Sequence, residues 1–238
     1  MTSPPSADVL IVGGGPAGSS LAFNLARAGI RVLVLDRARF PRPKPCAEYL
    51  SPQASRVLFD MGALDEVERS GAAQLAGMVI RAPSGEEVVG EFEGCRVRGF
   101  RDRGLSVRRE ILDEIVLRAA RGAGADVREG VRVTDVVRDD AGRARGVRTV
   151  DGGVIEAGLV VGADGLRSVI ARRLGLSRHA RWPRRYALVT HYRGVGGIGR
   201  CGEMHVEHGG YVGIADVGGG VTTVALVIPR DRSEALAS

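Results

Sequence analysis

The chain has 238 residues, 44% of them hydrophobic, and a formal net charge of +6. That composition supplies a sizeable core and excludes intrinsic disorder. No apolar run approaches the roughly 20 residues that span a bilayer. Met1-Thr2-Ser3-Pro4-Pro5-Ser6 lacks the basic start of a signal peptide. Cys46, Cys95 and Cys201 are odd in number and widely spaced, which argues against a disulfide framework or a cysteine-rich zinc site. A cytoplasmic protein without a transmembrane segment is expected. Lys44 is the single lysine among 34 basic residues. Arginines and acids are interleaved except between Arg167 and Arg185, where seven arginines occur without an acid. Aromatics make up only 4% of the chain and no stacking motif accompanies that run, so it reads as solvated surface, with an anionic substrate or a pyridine-nucleotide phosphate as the alternative, rather than a nucleic-acid site.

The first elements are the most informative. Asp8-Val9-Leu10-Ile11-Val12 is a short apolar run with the signature of a buried strand. It enters Gly13-Gly14-Gly15-Pro16-Ala17-Gly18, after which Leu21, Ala22, Leu25 and Ala26 recur at helical spacing and Gly29 closes the helix. Arg31-Val32-Leu33-Val34-Leu35-Asp36 is a second strand ending in an acid. This is a βαβ unit carrying G-x-G-x-x-G in the context that a dinucleotide fold requires. Gly13 allows the tight turn, Gly15 lets the backbone approach a pyrophosphate at the helix N-terminus, and Gly18 lets the helix pack closely. Asp36 accepts hydrogen bonds from ribose hydroxyls and repels a 2′-phosphate. Gly13, Gly15, Pro16, Ala17 and Gly18, with Asp36 and Arg37, are therefore the expected dinucleotide ligands. A second match, Gly194-Val195-Gly196-Gly197-Ile198-Gly199, is followed by no helical period and reads as a loop between strands.

Three later stretches carry a family likeness. Arg39-Phe40-Pro41-Arg42-Pro43-Lys44-Pro45-Cys46, followed by Leu50-Ser51-Pro52, resembles the loop after the second strand in geranylgeranyl-reductase-like flavoproteins, and departs from it at Ala47, where those proteins usually have glycine. Val107-Arg108-Arg109-Glu110-Ile111-Leu112-Asp113 opens an amphipathic helix and is similar to the flavoprotein pattern Arg-x-x-x-Asp. Gly162-Ala163-Asp164-Gly165-Leu166-Arg167-Ser168 resembles the Gly-Ala-Asp-Gly-x-x-Ser signature of flavin monooxygenases. The resemblance implies FAD as cofactor, with Lys44, Cys46, Arg109 and Asp164 beside it. It implies NAD(P)H as a transient reductant, a small organic substrate, and molecular oxygen if the enzyme is a monooxygenase. A C=C reductase, a module without activity of its own and, less favoured, a flavin halogenase are the alternatives. The family's third motif, Gly-Asp-Ala-Ala, does not occur in the chain, and a further C-terminal segment or a complementary chain is expected to supply it.

The expected fold class is α/β: a Rossmann-like FAD-binding βαβ domain with an inserted, mainly antiparallel β substrate-domain sheet. Residues 1–76 and 104–180 are assigned to the discontinuous FAD domain, and 77–103 and 181–238 to the partial substrate sheet. The insertion reads as a hairpin turning at Pro83-Ser84-Gly85, and further turns fall at Asp139-Asp140-Ala141-Gly142 and Asp151-Gly152-Gly153. Cys201, His205 and His208 do not converge if they lie on a strand, so no metal site is expected. No catalytic residue is assigned, because a flavin supplies the demanding chemistry itself.

Overall fold

The computed structural model describes residues 7–94, 100–178, 184–230 and 232. Cys95, His179 and Trp182 lie outside the described residues, as does the end of the chain. The chain opens with β1 (Ala7–Val12), α1 (Pro16–Arg27) and β2 (Val32–Asp36). There follow β3 (Tyr49–Leu50), α2 (Pro52–Asp60), α3 (Leu64–Arg69), β4 (Ala73–Leu75), β5 (Gly77–Arg81), β6 (Glu87–Glu91) and β7 (Gly104–Ser106). Then come α4 (Arg109–Gly122), β8 (Asp126–Glu129), β9 (Val133–Arg138), β10 (Ala144–Thr149), β11 (Val154–Gly162) and α5 (Val169–Arg173). Four strands close the fold: β12 (Arg185–Arg193), β13 (Cys201–Glu207), β14 (Gly210–Asp216) and β15 (Val221–Pro229). Among the described residues no helix is long and apolar enough to cross a membrane.

The chain divides into two compact units, the first made of Met1–Arg42, Met61–Ala63 and Leu112–Arg178. Its six-stranded sheet has the order β8-β2-β1-β11-β10-β9. β1 pairs in parallel with both β2 and β11, so the glycine loop leaves the strand at the middle of the sheet. All five residues of β2 are buried, as expected of a parallel strand covered on both faces. β9, β10 and β11 form an antiparallel meander. The core gathers Leu10, Leu33, Leu35, Val147, Ala157 and Ile170. Ser168 caps α5, its hydroxyl accepting the Ala171 N–H at 2.9 Å.

The second unit comprises Pro43–Asp60, Leu64–Ile111 and His179–Ser238. Its larger sheet has the order β12-β15-β14-β13-β5-β6, in which the β5–β6 hairpin joins the last four strands through a parallel β5–β13 pairing. A smaller sheet has the order β3-β7-β4. The expected division placed residues 43–60, 64–76 and 104–111 in the first unit, whereas they group with the second. The reason is local pairing: β3 and β4 both hydrogen-bond to β7, and only Ala76 separates β4 from β5. Strands of two and three residues are too short for alternation to reveal them.

Candidate functional site

The glycine loop runs from the end of β1 into α1. Gly13 has φ +109, and a Cβ there would strike the Ala163 carbonyl. A Cβ on Gly18 would strike the Gly13 carbonyl. Both glycines are demanded by the protein's own backbone. Gly15 is different. It is the N-cap of α1 with φ −72, and the nearest atom to a Cβ there is Arg42 Nη2 at 3.7 Å. The space over Gly15 is open, so glycine at this position serves something other than internal packing.

That open space adjoins a helix end with spare donors. α1 has no side-chain cap and no acid in its first turn, and Pro16 occupies N1. The N–H groups of Ala17 and Gly18 have no carbonyl within the helix to bond, and the helix dipole favours an anion there. The Arg42 guanidinium adds a full positive charge. It is held by Asp113, whose Oδ2 lies 3.3 Å from Arg42 Nη2, and it stacks 4.8 Å over the Phe40 ring. The Asp113 side chain is 0% exposed, and a buried carboxylate of that kind needs a partner.

Asp36 is buried at the end of β2 and is already engaged. Its Oδ2 accepts the Gly14 N–H at 2.7 Å and its Oδ1 accepts the Ala38 N–H at 2.8 Å. A carboxylate has lone pairs beyond these two bonds, so ribose hydroxyls remain within its capacity. Its first task, however, is to shape the glycine loop. Arg37, next to it, is exposed. Asp164 stands just past β11, where the Ala163 N–H donates to the Val12 carbonyl. Asp164 Oδ2 accepts the Val169 N–H at 2.6 Å, while Oδ1 is buried without a partner. An orphaned buried carboxylate oxygen calls for an explanation, and a ligand hydroxyl or amide supplies one.

The first unit thus brings together Gly13, Gly15, Pro16, Ala17, Gly18, Asp36 and Asp164 at the ends of adjacent parallel strands, where α/β sheets bind their ligands. Lys44, Cys46 and Arg109 belong to the second unit. Lys44 is exposed, and Cys46 is a half-buried free thiol. Arg109 begins α4, and its backbone N–H donates to Glu48 Oε1 at 3.0 Å. At the departure from the family loop, Ala47 needs no unusual backbone; the left-handed residue is Glu48, with φ 62. Arg42, Asp113, Glu48 and His191 were not anticipated. The Pro-Arg-x-Lys-x-Cys spacing could have pointed to Arg42, but a partner many residues away is invisible to spacing.

The remaining constellations are structural. Gly194–Gly199 lies between β12 and β13, without a following helix, as expected. His205 Nε2 lies 2.8 Å from Glu203 Oε2, and Arg81 pairs with the same carboxylate. Burial pushes Glu203 up, yet the hydrogen bonds from His205 and Arg81 hold it below the ordinary carboxylate value. Among the described residues no cluster could hold a metal ion.

A parallel βαβ unit, an anion-ready helix end and a carboxylate beneath the glycine loop define a dinucleotide-binding α/β protein. Comparison with known proteins narrows the class: the chain belongs to the FAD binding domain family, whose model matches residues 6–188. It is 35% identical over 183 residues to a menaquinone reductase of Mycobacterium tuberculosis, covering 75% of this chain and 42% of that protein. It is 33% identical over 208 residues to the aklavinone 12-hydroxylase RdmE of Streptomyces purpurascens, covering 79% and 37%. Its fold superposes with a TM-score of 0.79 on PqsL, a probable FAD-dependent monooxygenase from Pseudomonas aeruginosa, at 29% identity and with 97% and 62% of the two chains covered. The chain therefore spans less than half the length of these two curated relatives. The residues present fit FAD: Gly15 leaves room for a pyrophosphate, Arg42 and the α1 N-terminus supply its counter-charge, and Asp164 Oδ1 awaits a donor.

Proposed function

We propose that this chain is the FAD-holding part of a NAD(P)H-using flavin monooxygenase that acts on a small organic substrate. The observation that carries the reading is Gly15, a cap glycine with open space above it and a buttressed arginine beside it. When bound, FAD supplies hydride acceptance from NAD(P)H and electron delivery to oxygen. The protein's part is to hold and orient. Ala17 and Gly18 donate to the pyrophosphate, with Pro16 setting the start of the helix, and Arg42 neutralises its charge. Asp36 holds the ribose, with Arg37 beside it, and Asp164 Oδ1 accepts from the far half of the cofactor. Lys44, Cys46 and Arg109 are proposed cofactor neighbours on the family resemblance.

A C=C reductase is the second reading, favoured by the Lys44-Pro45-Cys46 loop and by the likeness to menaquinone reductase. A segment outside this chain, or a companion chain, is proposed to complete the flavin ring's surroundings. The test is the absorption spectrum of the purified chain followed by NAD(P)H oxidation with and without oxygen. Oxygen-dependent oxidation with an oxygenated product supports the first reading. Oxygen-independent reduction of an alkene supports the second. A chain that takes up no flavin overturns both.

A further inference from the structure

The second unit holds a pair of ionisable side chains that the cofactor site does not use. The Glu48 carboxylate is 3% exposed, and both of its oxygens are committed: Oε1 to the Arg109 N–H at 3.0 Å and Oε2 to His191 Nε2 at 2.7 Å. Its backbone is fixed as well, since its carbonyl accepts the Val107 N–H and its φ is 62. Left-handed backbone on a residue with a long side chain costs free energy, and it persists where the surroundings hold it in place. Capping the start of α4 accounts for Oε1. It does not account for the second oxygen being turned to a histidine on β12.

His191 is the accessible half of the pair, with its side chain 37% exposed. An ionised carboxylate only accepts, so facing one a neutral His191 donates from Nε2 and keeps its basic lone pair on Nδ1. Among the described residues no group bonds to Nδ1, and Glu48 is the sole ion-pair partner of the ring. The surroundings add no second charge. Arg193, two residues along β12, turns its guanidinium to the Gly219 carbonyl. Directly across from His191 in register is Thr223, 1% exposed, whose hydroxyl has no partner. The next positions on this face are Ala215, Val189 and Ala225, all uncharged. An exposed surface ion pair has neither a buried carboxylate nor a fixed tautomer.

We propose that His191, oriented by Glu48, is a proton acceptor for a substrate carrying a weakly acidic hydroxyl, such as a phenol or an enol. Nδ1 takes the hydroxyl proton, the O–H bond breaks, its electron pair stays on oxygen, and the positive charge gained by the imidazole is stabilised by the Glu48 carboxylate. The proton returns to water once the product leaves. This inference rests on the oxidoreductase reading, for which it names the substrate chemistry.

The test uses the whole chain and 4-nitrophenol, whose neutral and ionised forms absorb differently. Its ionisation is titrated in the presence of the wild-type chain and of the His191→Gln and Glu48→Gln variants, each checked for folding by circular dichroism. Glutamine at 191 is able to donate a hydrogen bond to Glu48 but, as a neutral amide, accepts no proton. The expected result is that the wild-type chain lowers the probe's ionisation midpoint by about one pH unit, a tenfold change, relative to His191→Gln. Ring nitrogen NMR, assigned by the signal lost in His191→Gln, is expected to place the proton of neutral His191 on Nε2. Equal midpoints for the two proteins, no perturbation of the probe by the wild-type chain, or a proton on Nδ1 would each overturn the proposal. Flavin uptake by the same preparation separates the two readings, because a chain that binds flavin without shifting the probe overturns only this one.

Discussion

The three glycines of the fingerprint carry different loads, and substitution separates them. A Cβ at residue 15 meets no protein atom closer than Arg42, so Gly15→Val is expected to cost the apo chain no more than an unfavourable N-cap does, about 1 kcal/mol, while losing FAD. Gly18→Ala drives a methyl into the Gly13 carbonyl, so it is expected to lower the urea midpoint of the apo chain before any ligand is added. A Gly15→Val chain that folds and binds FAD with unchanged affinity refutes the assignment of the loop. Asp36 has two tasks as well. Its carboxylate accepts two backbone N–H groups, so Asp36→Ala is expected to cost the apo chain about 1–3 kcal/mol in chemical denaturation. It also weakens FAD, and it spares FMN, which has no adenosine ribose, by comparison. The place of Asp36 at the end of the second strand carries the expectation of a ribose ligand, whereas its bond to Gly14 depends on a side-chain rotamer that no spacing rule reveals.

At the scale of elements, the turn between β9 and β10 provides a test with a defined sign. The Arg143 backbone N–H, with the Arg145 and Arg143 guanidinium groups, holds Asp139 down to about 2 against an ordinary value of 3.8. A depressed folded value means that the carboxylate's contribution is present above 3.8 and is lost as the pH falls through about 2. The gap in urea midpoint between the wild-type chain and Asp139→Asn is therefore expected to be constant near neutrality and to close on acidification through that window. A gap independent of pH removes the carboxylate from the account. Long elements with a clear period were legible in the sequence: β1, α1, β2, the start of α4, the β5–β6 hairpin and both turns of the meander. The small β3-β7-β4 sheet was not, because its strands are defined by partners far along the chain rather than by their own pattern. The same pairing moved residues 43–60 into the second unit. The Glu48–His191 contact escaped for a like reason, since it joins a loop to a strand that only the folded chain brings within 2.7 Å.

For the whole molecule, ligand linkage offers a direct measurement. A ligand that binds only the folded form adds about 2.7 kcal/mol of stability at a hundred times its dissociation constant. FAD and ADP share the pyrophosphate and the adenosine ribose, so both are expected to raise the Tm of the wild-type chain, and neither that of Gly15→Val. Amide exchange is expected to concentrate the added protection in residues 7–42 and 112–178. Protection by FAD confined to the second unit would refute the site. The contact between Gly13 and Ala163 has a consequence in time as well as in space. Its two halves sit just past β1, the first strand to be synthesised, and just past β11, the last of that sheet. A chain leaving the ribosome at about 5–20 residues per second exposes its glycine loop long before β11 exists to brace it. On the proposed site, cofactor loading is expected to wait until most of the first unit is translated, and until then the nascent βαβ unit is a cradle with one wall.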